Sequence, residues 1–143
     1  MSLLNTTVHP DLGSKRPDKG LIEQIEISGF RSFGPKQSLS LPALTLLVGG
    51  NGAGKSNFLR FFEMLGWMLK TQNLQEYVLQ QGGGADLFFA SPNGVPQIHA
   101  ELSLRTSAEL LGYRFTLGPV AAGNTLSVLD EACCCDRNAE PPV

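Results

Sequence analysis

The sequence predicts a mixed α/β fold in which a largely antiparallel sheet surrounds one loop-bearing strand and one long helix. Three observations predict it. An apolar run, Leu44 to Val48, leads straight into a glycine-rich segment, Gly49 to Gly54. From Asn57 the apolar residues recur at helical spacing as far as Leu69. Beyond Gly84 the apolar period falls to two, and the connections are too short for crossover helices, so the later strands are expected to be antiparallel neighbours. A chain of 143 residues suits one compact domain or one lobe of a larger assembly. Its 42% hydrophobic and 17% charged residues exclude a disordered or collagen-like chain.

Residues 1–20 mix Thr, Pro, Asp, Gly, Ser and Lys without periodicity and read as a flexible leader. Ile22, Ile25, Ile27 and Phe30 then alternate imperfectly with Glu23, Glu26 and Ser28, which predicts a strand from Leu21 to about Phe33. Gly34-Pro35 turns the chain, Ser38 to Leu41 alternates again, and Pro42 marks the entry to Leu44–Val48, apolar enough to be a strand covered on both faces. The helix places Phe58, Phe61, Phe62, Leu65 and Leu69 on one stripe widened by Leu59, Trp67 and Met68, so most of it is expected to be buried. Asn73 and Glu76 have the spacing of a capping box, Leu74, Tyr77 and Val78 continue into a short second helix, and Gly82-Gly83-Gly84 ends it. Leu87–Ala90, Ile98–Leu104, Gly112–Leu117 and Thr125–Leu129 read as short strands, separated by turn residues such as Ser91-Pro92-Asn93-Gly94 and Gly123-Asn124. The folded lobe is therefore placed at 21–135, with 136–143 a tail or a cut edge.

Eleven basic and 13 acidic residues leave a net charge of −2, which carries no electrostatic footprint of a free-standing nucleic-acid binder. The distribution is uneven. Residues 1–70 hold 8 Lys/Arg against 5 Asp/Glu and residues 71–143 hold 3 against 8, so a polyanion should meet the first half. No apolar stretch approaches the roughly 18 residues that span a bilayer, and Met1 to Gly20 lacks a signal core, so a cytoplasmic location without membrane contact is expected. Cys133, Cys134 and Cys135 are consecutive, which matches neither a zinc site nor a disulfide framework, and reduced thiols are expected. His9 and His99 have no ligand-spaced partner and receive no function.

The strong motif is Gly49-Gly50-Asn51-Gly52-Ala53-Gly54-Lys55-Ser56, a phosphate loop of the pattern Gly, four residues, Gly-Lys-Ser/Thr. Glycines let backbone N–H groups close around phosphate oxygens without a Cβ in the way. Lys55 can reach β- and γ-phosphates, and the Ser56 hydroxyl suits Mg²⁺. The helix that opens near Gly54 adds its positive dipole end. ATP and Mg²⁺ are the ligands expected, with Ser56 as metal ligand.

The segment Ile25-Glu26-Ile27-Ser28-Gly29-Phe30-Arg31-Ser32-Phe33, followed by Leu44 to Asn57, resembles the N-terminal part of RecF/SMC-like, ABC-type ATPases, including bacterial ATPases of the AAA class. The likeness is close over about 21–70 and looser over 85–132. It implies half of a P-loop NTPase domain in which Gly49 to Asn57 line the ATP site and the strand carrying Arg31 and Ser32 flanks the nucleotide. It further implies a C-terminal ATPase lobe, a second ATPase head in a homodimer, and DNA as a final partner through repair, chromosome maintenance or phage defence. No signature motif, switch histidine or coiled coil follows, so hydrolysis by the chain alone is not expected and no catalytic residue is assigned.

Three readings stay open on the residues themselves. For Arg31 the alternative is a solvated charge at a strand end. Gln80 and Gln81 could be compared with the family's metal- and water-binding glutamine, but their place at a helix end favours simple capping. Thr125 to Glu131 superficially matches a Walker B strand ending in Asp130-Glu131, although its alternation favours a half-exposed antiparallel strand. A complete small P-loop kinase using Asp130 or Glu131, and a non-catalytic interaction domain, are the competing functions. The kinase needs several parallel strands joined by helices, and the interaction domain sits poorly with an intact Lys55-Ser56 pair.

Overall fold

The computed structural model describes residues 5–8, 20–90, 96–106, 109–120 and 124–136. The turn at 91–94, Gly123, His9 and most of the leader and tail lie outside the described residues.

Five strands form one antiparallel sheet in the order β3-β2-β5-β6-β7, where β2 is Leu21–Ser28, β3 Gln37–Ser40, β5 Ile98–Arg105, β6 Leu110–Pro119 and β7 Leu126–Asp136. All pairings in this sheet are antiparallel, as the short connections predict. β7 is longer than its apolar alternation suggests and carries the three cysteines, all exposed and free, opposite Leu111, Gly112 and Tyr113.

One face of the sheet is the core. Ile25, Ile27, Ile98, Ala100, Leu102, Phe115 and Leu117 are buried against Phe58, Phe61, Met64 and Leu65 of helix α1 (Lys55–Gly66) and Tyr77 and Val78 of helix α2 (Leu74–Gln80). Phe61 sits at the centre, stacked on Phe115 at 6.3 Å and edge-on to Phe30 at 5.7 Å. The period-two pattern sends the alternate residues to the other face, where Glu26, Glu101 and Arg114 lie side by side across three strands.

The helices follow their end signals. Asn73 caps α2 by accepting from the Glu76 backbone N–H at 3.2 Å, and its amide donates to the Glu76 carboxylate at 2.8 Å, a variant of the expected capping box. After Gly66, α1 passes into a π turn over Trp67–Thr71, closed at Gln72 with φ 52. The wider turn rotates the stripe so that Leu69 points outward, Leu59 already lies on the outer face of α1, and the helix is amphipathic where the sequence suggested that most of it is buried. Leu87–Ala90 is not a strand. Gly84–Leu87 forms a 3-10 turn, and Phe88 makes a single bridge to Phe30.

The largest departure concerns the loop-bearing strand β4 (Thr45–Val48), which is not in the main sheet. It pairs antiparallel with β1 (Asn5–Val8), a strand inside what the sequence reads as a flexible leader. Leu47 turns inward against the core, but Leu44, Leu46 and Val48 are 61%, 62% and 51% exposed. The expectation of a strand covered on both faces, at the centre of the sheet, fails because among the described residues only β1 lies beside it.

Candidate functional site

Sequence places a loop between β4 and α1, and the structure gives it a definite shape. Gly52 and Gly54 take φ values of 83° and 91°, conformations that side-chain-bearing residues rarely adopt. Gly54 is the N-cap of α1 and has no side chain to close the helix start, so the first-turn N–H groups face the loop. A Cβ placed on Gly50 or Gly52 would meet nothing within 4 Å, so the space over the backbone there is open. The Lys55 ammonium arches back over the loop and donates to the carbonyls of Gly49 at 2.6 Å and Gly50 at 2.7 Å. Ser56 is exposed on the first turn. Backbone donors, a helix N-terminus, one ammonium and one free-facing hydroxyl are a donor set that fits a magnesium-bound polyphosphate.

A second element braces the loop. Phe30, Arg31, Ser32 and Phe33 form a two-residue hairpin tip, with the Phe30 N–H donating to the Phe33 carbonyl at 3.1 Å and the Phe33 N–H to the Phe30 carbonyl at 2.7 Å. Both phenylalanines are buried, Phe30 against Phe61 and Phe33 against Phe58, so the tip is clamped on α1. This explains the Phe-Arg-Ser-Phe spelling: the aromatic residues anchor and the two central residues are presented. Ser32 Oγ accepts from Asn57 Nδ2 at 3.0 Å, and a Cβ on Gly54 would stand 3.0 Å from that oxygen. Ser32, Gly54 and Asn57 thus meet at the mouth of the loop.

Arg31 is not the solvated strand-end charge of the alternative reading. It holds φ 48, its Nη2 donates to Gln81 Oε1 at 2.8 Å, and its guanidinium lies 6.0 Å from the Phe30 ring centroid. Partial burial pushes its pKa below the ordinary value and Arg60 adds to the effect, but an arginine stays charged under such a shift. Gln81 does cap α2 through its backbone N–H, as expected of a helix end, while its side chain does something capping does not require. Gln80 is exposed. No local pattern links residues 31 and 81, so sequence periodicity had no means of finding this contact.

Asp130 and Glu131 lie elsewhere. β7 is three strand spacings from β2, about 14 Å across the sheet. Asp130 faces away from α1, 4.0 Å from Arg114, and Glu131 accepts from the Tyr113 hydroxyl at 2.7 Å. They sit on an antiparallel edge strand, as the alternation favours. Among the described residues no cluster of His, Cys, Asp and Glu is arranged to hold a metal, and no helix is long and apolar enough to cross a membrane.

Comparison with known proteins agrees with this geometry. A stretch of 39 residues is 56% identical to the chromosome partition protein Smc of a Synechococcus sp., covering 27% of this chain and 3% of that protein. No solved structure matches. A family model described as "AAA domain, putative AbiEii toxin, Type IV TA system" matches residues 44–132, more than half of the chain. That span begins at the strand before the loop and ends in β7, taking in the loop, both helices and strands of the main sheet, and the chain belongs to this AAA-domain family of SMC/RecF-like P-loop ATPases.

Proposed function

We propose that this chain is an ATP-binding lobe in which Gly49, Gly50, Asn51, Gly52, Ala53 and Gly54 cradle the phosphates, Lys55 binds their outer oxygens, Ser56 holds Mg²⁺, and Arg31 and Asn57 flank the nucleotide. The observation that carries the reading is the loop itself: two glycines at positive φ between a strand and a helix N-terminus, with Lys55 and Ser56 on the first turn. The ammonium that now bonds the Gly49 and Gly50 carbonyls needs only side-chain rotation to meet phosphate instead. Bound Mg-ATP supplies a phosphoanhydride bond whose cleavage can drive a change in assembly.

Hydrolysis, in this reading, needs residues from another lobe. The loop offers the cradle and one magnesium ligand. A second acidic ligand and a group to orient water are also required, and Asp130 and Glu131 are engaged on β7 with Arg114 and Tyr113. The exposed side chains of Leu44, Leu46 and Val48 support a C-terminal lobe that packs beside β4, because three large apolar groups at alternate positions in and just before a loop-bearing strand mark a surface that gains by being covered. A second head in a homodimer, a cytoplasmic location and DNA-linked work belong to the same proposal. The DNA link is supported by the Smc likeness, and its pathway is left at repair, chromosome maintenance or defence. The kinase alternative loses ground because the main sheet is wholly antiparallel.

Calorimetric titration with Mg-ATP tests the proposal. The wild-type chain should bind, and Lys55→Ala should weaken binding by about 30-fold or more, as expected when a charge-assisted contact is lost while the backbone cradle stays. Equal affinity of the two proteins would mean that the loop is not the site.

A further inference from the structure

Arg31 occupies a costly conformation. A positive φ at the first central position of a two-residue hairpin ordinarily selects glycine, and an L-residue there stores strain. Its main chain is pinned as well, since the Arg31 N–H donates to the Leu87 carbonyl at 2.9 Å. On the side chain, Nη2 donates to Gln81, while Nε is buried with no hydrogen-bond partner among the described residues. Gln81 therefore supplies the hydrogen bond that orients this guanidinium beside the Phe30 ring.

Gln81 is itself held from a distance. It ends α2 just before Gly82 and Gly83, both at positive φ. Asn124, at the entry to β7, ties that turn down: its Oδ1 accepts from the Ala85 N–H at 2.9 Å, its backbone carbonyl accepts from the Gly84 N–H at 2.8 Å, and its Nδ2 donates to the Gly82 carbonyl at 3.4 Å. Asn124 thus fixes the turn that directly follows Gln81, Gln81 accepts from Arg31, and the adjoining Ser32 accepts from Asn57 on the first turn of α1.

We propose that Gln81 is a positioning residue for the nucleotide site, holding the Arg31 guanidinium beside α1 so that it serves the bound phosphates. The proposal rests on the ATP-binding reading above. A neutral amide acceptor suits the task better than a carboxylate, because it orients the guanidinium without neutralising its charge. Gln81→Ala should release the side chain, and Gln81→Glu should keep the hydrogen bond but cancel the charge.

The test is a double-mutant cycle on Mg-ATP affinity using the full chain, with Lys55→Ala as control and thermal unfolding measured on every variant. Gln81→Ala and Arg31→Ala should each weaken binding by about three- to tenfold, and Gln81→Ala should add almost nothing once Arg31 is alanine. Gln81→Glu should unfold at the wild-type temperature and still bind ATP more weakly, a split that a purely structural amide would not produce. Wild-type affinity in Gln81→Ala, tighter binding in that variant, full additivity of the two alanines, or wild-type affinity in Gln81→Glu would each overturn the proposal while Lys55→Ala still reports on the loop. If the wild-type chain binds no nucleotide, or Lys55→Ala binds as well as wild type, the ATP-binding reading fails and the role of Gln81 fails with it.

Discussion

Gly54→Ala puts a methyl group at the point where loop, helix and hairpin meet. The residue holds φ 91, which costs an L-residue about 1–2 kcal/mol. The new Cβ would also stand 3.0 Å from Ser32 Oγ. That oxygen cannot easily retreat, since it accepts from Asn57 and belongs to a tip clamped by Phe30 and Phe33. The crowding adds up to about 1 kcal/mol, giving a total loss of about 1–3 kcal/mol. Urea unfolding followed by far-ultraviolet circular dichroism measures it. Ser32→Ala separates the two contributions: in that background the cost of Gly54→Ala should shrink by about 0.5–1 kcal/mol and leave the backbone share. Gly54→Val, with a branched Cβ, should cut nucleotide affinity more deeply than stability, because the added methyls also fill the space where backbone must approach phosphate. Wild-type stability in Gly54→Ala would refute the loop conformation, and an undiminished cost in Ser32→Ala would refute the contact with Ser32.

Two further outcomes follow from β7 and its neighbour. Phosphate release by the chain alone should remain at background, and Asp130→Asn or Glu131→Gln should leave Mg-ATP affinity within about twofold of wild type; robust turnover abolished by either change would restore the self-sufficient enzyme. Burial and the Glu131 carboxylate hold the Tyr113 hydroxyl well above its ordinary range, and burial raises Tyr77 too. The unfolded chain loses phenolic protons first, so the tyrosines' contribution to stability should hold below about pH 10 and be lost as pH rises beyond it, with a shallower fall in Tyr113→Phe.

What the sequence made legible was local. The glycine loop and the helix start after it could be read because their marks, glycines that turn up at positive φ and a Lys-Ser pair on the first turn, fall within eight consecutive residues. The Asn73 cap and the antiparallel pairing of the later strands were legible through end signals and period. Partners distant in sequence were not. An apolar strand such as Leu44–Val48 reads as buried whether its cover lies in the described residues or elsewhere, and the Asn5–Val8 pairing with it has no periodic signature. The length of β7 was hidden because Asp130 to Cys135 break the alternation that marked its first half. Arg31 meets Gln81 across 50 positions, a contact created by docking α2 beside the hairpin tip.

The central claim, that residues 49–57 form a nucleotide site, is tested most directly by amide chemical shifts of the ¹⁵N-labelled chain during titration with Mg-ATP. The account predicts the largest changes at the N–H groups of Gly50 to Asn57, a second set at Arg31 and Ser32, and little change along β7. Changes centred on the polar sheet face around Glu26, Glu101 and Arg114, or no change at millimolar nucleotide, would contradict it.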